Sequence, residues 1–139
     1  MTTKAGLTFT VLALALVATV LITIRSREVS VELRDVDGVV HGSLENPQTD
    51  LTLLFFMGTL CPISGQYAPE IQSICKDYEK RGVGCLLVFP EAATTGASVK
   101  TYLREFGHTA PAIVDSRHTL VKRIVATVTP EAAVLSRTG

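Results

Sequence analysis

The chemistry this chain can carry is concentrated in its cysteines, Cys61, Cys75 and Cys85. Cys61 opens the run Cys61-Pro62-Ile63-Ser64, which lies between an apolar stretch of strand length and a stretch with helical periodicity. A thiol placed where a buried strand ends and a helix begins meets unpaired helix amides and the positive end of the helix dipole. Both favour thiolate. Pro62 suits the first helical turn, where its missing N–H has no helical partner. Cys61 is therefore the candidate nucleophile. His41, His108 and His118 show no metal-ligand spacing with one another or with the cysteines, and three thiols are too few for a four-thiolate zinc centre. Glu70, near the expected helix, either orients a proton or is simply solvated. The chain has no glycine-rich phosphate loop and no serine-hydrolase elbow. No metal and no cofactor is expected.

These residues need elements to hold them. Val29, Val31 and Leu33 alternate with polar residues as in a half-buried strand, Asp37-Gly38 marks a hairpin turn, and Val39-Val40 starts the returning strand. Pro47 and Asp50 bound a loop. Leu51 to Met57 is a nearly continuous apolar run, the pattern of a strand covered on both faces. Ile63, Tyr67, Ile71, Ile74 and Tyr78 recur at helical steps and predict one helical face, closed by Lys80, Arg81 and Gly82. Pro69 should kink that helix without ending it. Val83 to Phe89 is the next buried strand. Val99, Tyr102, Leu103 and Phe106 form a second helical stripe, with Ser98 as its cap and Gly107 after it. A strand from Ala112 to Val114, a helix through Leu120, Val121, Ile124 and Val125, and a strand from Ala132 to Leu135 complete the pattern. Strands alternating with helices predict an α/β domain with a largely parallel sheet. By helical rise Cys75 stands about 21 Å from Cys61, beyond disulfide reach. Cys85 falls early in its strand, whereas Cys61 lies past the far end of the neighbouring one. Both are expected to be inert core residues.

Ahead of this domain, Gly6 to Ile24 runs nineteen residues without a charge. As a helix it would span about 28 Å, close to the roughly 30 Å hydrocarbon core of a bilayer. The best small-x-small cleavage site, Ala13-Leu14-Ala15, comes too early in the run, so a cleaved signal is the rival reading rather than the first. The expected organisation is a flank at 1–5, a transmembrane anchor at 6–24 and one domain over 25–139. Lys4 with the amino terminus nearly balances Arg25 and Arg27, so flanking charge favours neither orientation. The whole chain of 139 residues carries 13 Lys and Arg against 13 Asp and Glu, and a zero net charge argues against a nucleic-acid binder. A 47% hydrophobic and 19% charged composition excludes a disordered tail.

At Thr59-Leu60-Cys61-Pro62-Ile63-Ser64, Tyr67-Ala68-Pro69-Glu70 and Thr127-Val128-Thr129-Pro130-Glu131-Ala132-Ala133-Val134 the sequence resembles the thioredoxin superfamily. Within it, the chain looks most like the redoxin branch, the alkyl hydroperoxide reductase and thiol-specific antioxidant proteins. The resemblance covers Val29 to the end. It implies a thioredoxin-like fold with a cis Thr129-Pro130 peptide beside Cys61, catalytic roles for Cys61, Ser64 and Thr59, and substrate contacts at Pro62, Thr129 and Pro130. Two departures stand out. Dithiol relatives carry a second cysteine where this chain has Ser64, whose hydroxyl can hydrogen-bond a thiolate but cannot resolve a mixed disulfide. Typical peroxiredoxins carry a threonine three residues before the cysteine and a proline seven before it; here those places hold Gly58 and Leu54, and Thr59 is out of step by one. The resemblance also implies a further strand and a terminal helix after Ser136-Arg137-Thr138-Gly139. Without them the last strand would be an open edge, one sheet face would lack a helix, and the isolated domain would be poorly stable.

The first reading is thus a membrane-anchored redoxin-like domain on the extracytoplasmic, bacterial periplasmic side. Cys61 would attack a disulfide or peroxide there and rely on an external thiol for regeneration. Its expected partners are that external thiol reductant or a disulfide-bearing protein, and the membrane. The alternative is a non-catalytic thioredoxin-fold module that binds a partner protein at the Cys61–Pro130 surface.

Overall fold

The computed structural model describes residues 33–41, 49 and 51–136. The expected anchor at 6–24, the first residues of the opening strand and the turn after Ser136 lie outside them. All the described residues fall in the compact unit Val31–Gly139. Among them, no helix is long and apolar enough to cross a membrane.

The chain enters through a short hairpin of β1 (Leu33–Arg34) and β2 (Val40–His41). Its turn is organised by Asp35, whose Oδ1 accepts the amides of Asp37 and Val39, each at 2.9 Å, while Gly38 takes the left-handed φ of 85° that a tight turn demands. His41 Nε2 lies 2.7 Å from Asp35 Oδ2. Burial raises the Asp35 pKa, but the His41 hydrogen bond and the two amides outweigh it and hold the carboxyl below its usual range.

A four-stranded sheet follows, in the order β5-β4-β3-β6, from β3 (Leu51–Phe56), β4 (Gly84–Phe89), β5 (Ala112–Val114) and β6 (Glu131–Ser136). The β3–β4 and β4–β5 pairs are parallel, and β6 runs antiparallel to β3. This is the largely parallel α/β sheet expected from the alternation of patterns. Because β3 and β4 lie inside the sheet, both of their faces are covered. Phe55, Leu87 and Phe89 pack against Ala68, Ile71 and Cys75 of helix α1 (Pro62–Glu79) and Val99 and Tyr102 of helix α2 (Gly96–Phe106). On the opposite face Leu54, Phe56, Leu86 and Val88 meet Leu33 and Leu120, the latter from helix α3 (Thr119–Ile124). Covering both faces is why these strands read as continuous apolar runs rather than alternating ones.

Three expectations need correction. The buried face of α1 is Ser64, Ala68, Ile71 and Cys75, while Ile63, Tyr67 and Tyr78 remain 47%, 55% and 42% exposed. Small side chains at 64 and 68 let the helix approach the sheet, and the larger apolar residues are left on its flanks. The cap of α2 is Thr95 rather than Ser98. The Thr95 hydroxyl accepts the Ser98 amide at 3.1 Å and the Thr95 amide donates to Ser98 Oγ at 3.0 Å, a reciprocal capping box; Gly107 closes the helix with a φ of 67°. Finally, Cys75 and Cys85 are not inert core thiols but a disulfide. The last turns of α1 lie over the first residues of β4, which brings the two Cα atoms to 5.6 Å, inside the range a bridge requires.

Candidate active site

The parallel pair β3–β4 ends at one edge of the sheet, and the loops that leave it meet there. After β3 the chain passes Gly58, Thr59 and Leu60 and reaches Cys61, the N-cap of α1, in extended conformation with φ −81° and ψ 113°. Cys61 is half-buried and is the free cysteine of the chain. Its Sγ–H donates to the Thr129 carbonyl oxygen at 3.4 Å, and the Thr129–Pro130 peptide that follows is cis. Ser64, fully buried one turn into the helix, accepts the Gly58 amide on Oγ at 3.0 Å. That bond leaves the Ser64 hydroxyl proton free to turn toward sulfur. The Ser64 amide, then its hydroxyl, with the Thr129 side chain and the Ile63 amide adding to them, hold the Cys61 thiol below its ordinary pKa against the opposing pull of burial.

The second loop of the site follows β4 and brings Glu91. Its Oε2 accepts three hydrogen bonds: from the Thr59 amide at 2.9 Å, the Thr59 hydroxyl at 3.0 Å and the Thr94 hydroxyl at 2.9 Å. Thr59 is thus turned to Glu91, where it fixes the loop before the nucleophile. Gly58 separates the two groups by the width of a missing side chain. A Cβ at that position would lie 2.6 Å from Glu91 Oε1 and 2.8 Å from the Cys61 Cβ, so only glycine fits.

A third loop carries Thr129. Glu131 accepts the amides of Thr127 at 2.7 Å and Val128 at 3.0 Å, which holds its carboxyl below the usual range and ties down the turn ahead of Pro130. Around the sulfur the surface is apolar: Leu60 is 84% exposed and Val128 62%, with Ile63 and Tyr67 beside them on α1. Beneath, Tyr102 is buried and its hydroxyl has no hydrogen-bond partner among the described residues. Burial, with the charges of Cys61 and Glu105, pushes its phenol up to about 12, so it stays protonated. Among the described residues no three His, Cys, Asp or Glu side chains converge on a possible metal position.

Of the residues picked from sequence, the structure brings Cys61, Ser64 and Thr129-Pro130 together, with Pro62 exposed in the first turn of α1 and Thr59 one step back on Glu91. Glu91, Thr94 and Glu131 were missed. A signal for Glu91 existed: it comes just after β4, at the carboxyl edge where the loops of parallel strands gather.

No family model matches this sequence, and no curated protein matches it. Solved structures do. A hypothetical protein from Sinorhizobium meliloti is similar with a TM-score of 0.71 and 20% identity, over 80% of this chain and 63% of that one. A secreted Mycobacterium tuberculosis disulfide oxidoreductase homologous to E. coli DsbE is similar with a TM-score of 0.67 and 12% identity, over 79% of this chain and 78% of that one. A thioredoxin-like protein from Aeropyrum pernix gives a TM-score of 0.64 and 18% identity, over 88% of this chain and 84% of that one. The chain spans less than two thirds of the length of the first of these. The fold is thioredoxin-like: a mixed sheet flanked by helices, with Cys61 at the start of α1.

Proposed function

We propose that this chain is a membrane-anchored, redoxin-like domain whose one free thiol, Cys61, carries out thiol–disulfide exchange. The observation that supports it most is the setting of the sulfur, at a helix start with the Ser64 amide and hydroxyl directed to it. The Cys61 thiolate attacks a substrate disulfide, forms a mixed disulfide and releases one substrate thiolate, which takes a proton from water. A first external thiol displaces the second substrate thiolate from Cys61, and a second external thiol restores the Cys61 thiolate and leaves as the oxidised disulfide. Two electrons pass from the external thiols to the substrate. They must come from outside, because Ser64 cannot resolve the adduct and Cys75 and Cys85 already hold each other. Exchange is preferred to peroxide reduction because the Thr59 hydroxyl bonds Glu91 rather than standing at the sulfur.

Residues 6–24 are the proposed anchor, and the Cys75–Cys85 bridge favours an extracytoplasmic side, since such bonds persist in oxidising compartments and are rare in the cytosol. The redox reading is tested with iodoacetamide at neutral pH. Cys61 should be modified about 10-fold faster than an unperturbed cysteine peptide, and oxidised protein partners should be trapped as adducts visible by mass spectrometry. Cys61→Ser should lose both. Modification no faster than the peptide would sink the nucleophile and leave the Cys61–Pro130 surface as a binding surface for a partner protein.

A further inference from the structure

A groove of about 360 Å³ opens beside the nucleophile, within the size range of small-ligand sites. Phe56, Pro90, Glu91, His118, Val128 and Thr129 are among the residues that line it. Thr129 joins it to Cys61, since the carbonyl that receives the Cys61 thiol belongs to that residue. Among the described residues the lining contains no lysine or arginine, and Glu91 is its one carboxylate. His118, which also lines the groove, commits Nε2 to the carbonyl of Pro90, the residue before Glu91, at 2.8 Å. The two oxygens of Glu91 differ. Oε2 is saturated by Thr59 and Thr94, whereas Oε1 carries no hydrogen bond among the described residues and stands across Gly58 from the Cys61 Cβ. A negative charge with a free acceptor thus sits across the Gly58 backbone from the Cys61 Cβ, on a residue that also lines the groove. Glu131 adds a second negative charge behind the Thr127–Val128 wall.

We propose that this groove binds the regenerating reductant, a low-molecular-weight monothiol that carries an ammonium group on a short spacer. The ammonium takes Glu91 Oε1 and the sulfur reaches the mixed disulfide on Cys61. This rests on the exchange reaction proposed above and names its external thiol. The bound thiolate attacks the Cys61 sulfur, the bond from Cys61 to the substrate sulfur breaks, and the departing substrate thiolate takes a proton from water. A second molecule of the same thiol attacks the sulfur of the first and expels the Cys61 thiolate. Two thiols become one disulfide, and the substrate keeps the two electrons. An anionic thiol entering the same groove meets the charge of Glu91 and is repelled.

The test uses the full chain in mild detergent, with Cys61 converted to its mixed disulfide with thionitrobenzoate. Release of thionitrobenzoate is followed with 2-aminoethanethiol, 2-mercaptoethanol and 3-mercaptopropionate. Each rate is corrected for thiolate concentration and divided by the rate of the same thiol on the adduct of N-acetylcysteine amide. The ammonium thiol should exceed the carboxylate thiol by about 10-fold or more, the size expected for one nearby charge in a partly desolvated groove. In about 0.5 M sodium chloride that preference should shrink several-fold. Glu91→Gln, which keeps an acceptor for Thr59, should bring it to about twofold or less. The salt arm needs no variant and keeps the test valid if Glu91→Gln does not fold. A wild-type ratio near one, or a ratio that survives Glu91→Gln, overturns the groove assignment while leaving exchange at Cys61 intact. An adduct that never forms at Cys61 overturns both.

Discussion

At the scale of the residue, the site is a matter of which hydrogen bonds are already taken. Ser64 can serve the sulfur because the Gly58 amide occupies its oxygen and leaves its proton to turn. Ser64→Ala removes that donor and strands the buried Gly58 amide. The midpoint of Cys61 alkylation against pH should move up, toward that of an ordinary thiol, and the rate at pH 7 should fall about 3- to 10-fold, as fits one hydrogen bond to a charged acceptor. Stopped-flow alkylation across the pH range checks this. An unchanged midpoint would mean that the helix amides alone set the thiol. Cys61 was legible as a local signal, a nucleophile at a strand-to-helix junction, whereas Ser64 and the Thr129-Pro130 pair entered only through the family resemblance. Glu91 was not legible, since beside its near neighbour Thr94 it takes the amide and hydroxyl of Thr59, which reach it only after β3 and β4 align.

At the scale of the element, periodicity located α1 correctly and misjudged which way it faces. Apolar size points to Ile63, Tyr67 and Tyr78 as the buried side, yet close approach to the sheet selects Ser64 and Ala68 and leaves Tyr67 outside. The same docking explains the bridge. From sequence Cys75 and Cys85 were separate core thiols, because nothing in the spacing says that the end of a helix returns over the start of the next strand. The bridge closes a loop of ten residues, and replacing both cysteines by alanine should cost about 2–3 kcal/mol of stability. Denaturant unfolding of the oxidised chain and of the variant measures it. The alkylation rate of Cys61 should stay within about twofold, since the bridge braces the opposite end of α1 from the thiol. A parallel fall in reactivity would show that the brace also shapes the site.

At the scale of the whole molecule, the alternation of strand and helix patterns was enough to predict the α/β architecture, while the order β5-β4-β3-β6 depends on contacts that no local pattern contains. Residues 6–24 should hold the protein to a bilayer. The full chain is expected to sediment with membranes and to resist alkaline carbonate, and a membrane-impermeant thiol reagent should label Cys61 in intact cells. Release by carbonate, or a soluble chain that begins after residue 15, removes the anchor. Failure to label Cys61 in intact cells, with labelling after lysis, puts the domain on the inner side.

The length of α1 has one more effect. Three cysteines allow three different single bridges, and only Cys75–Cys85 leaves the nucleophile unpaired. An intact α1 acts as a ruler: it keeps Cys61 about 21 Å from Cys75 and so excludes one wrong isomer by length alone. The sheet excludes the other, since Cys85 pairs with Leu53 near the start of β3 and Cys61 lies beyond its end. The covalent isomer of this protein is therefore proofread by helix and sheet together, and scrambling is expected only in chains in which one of the two has not formed.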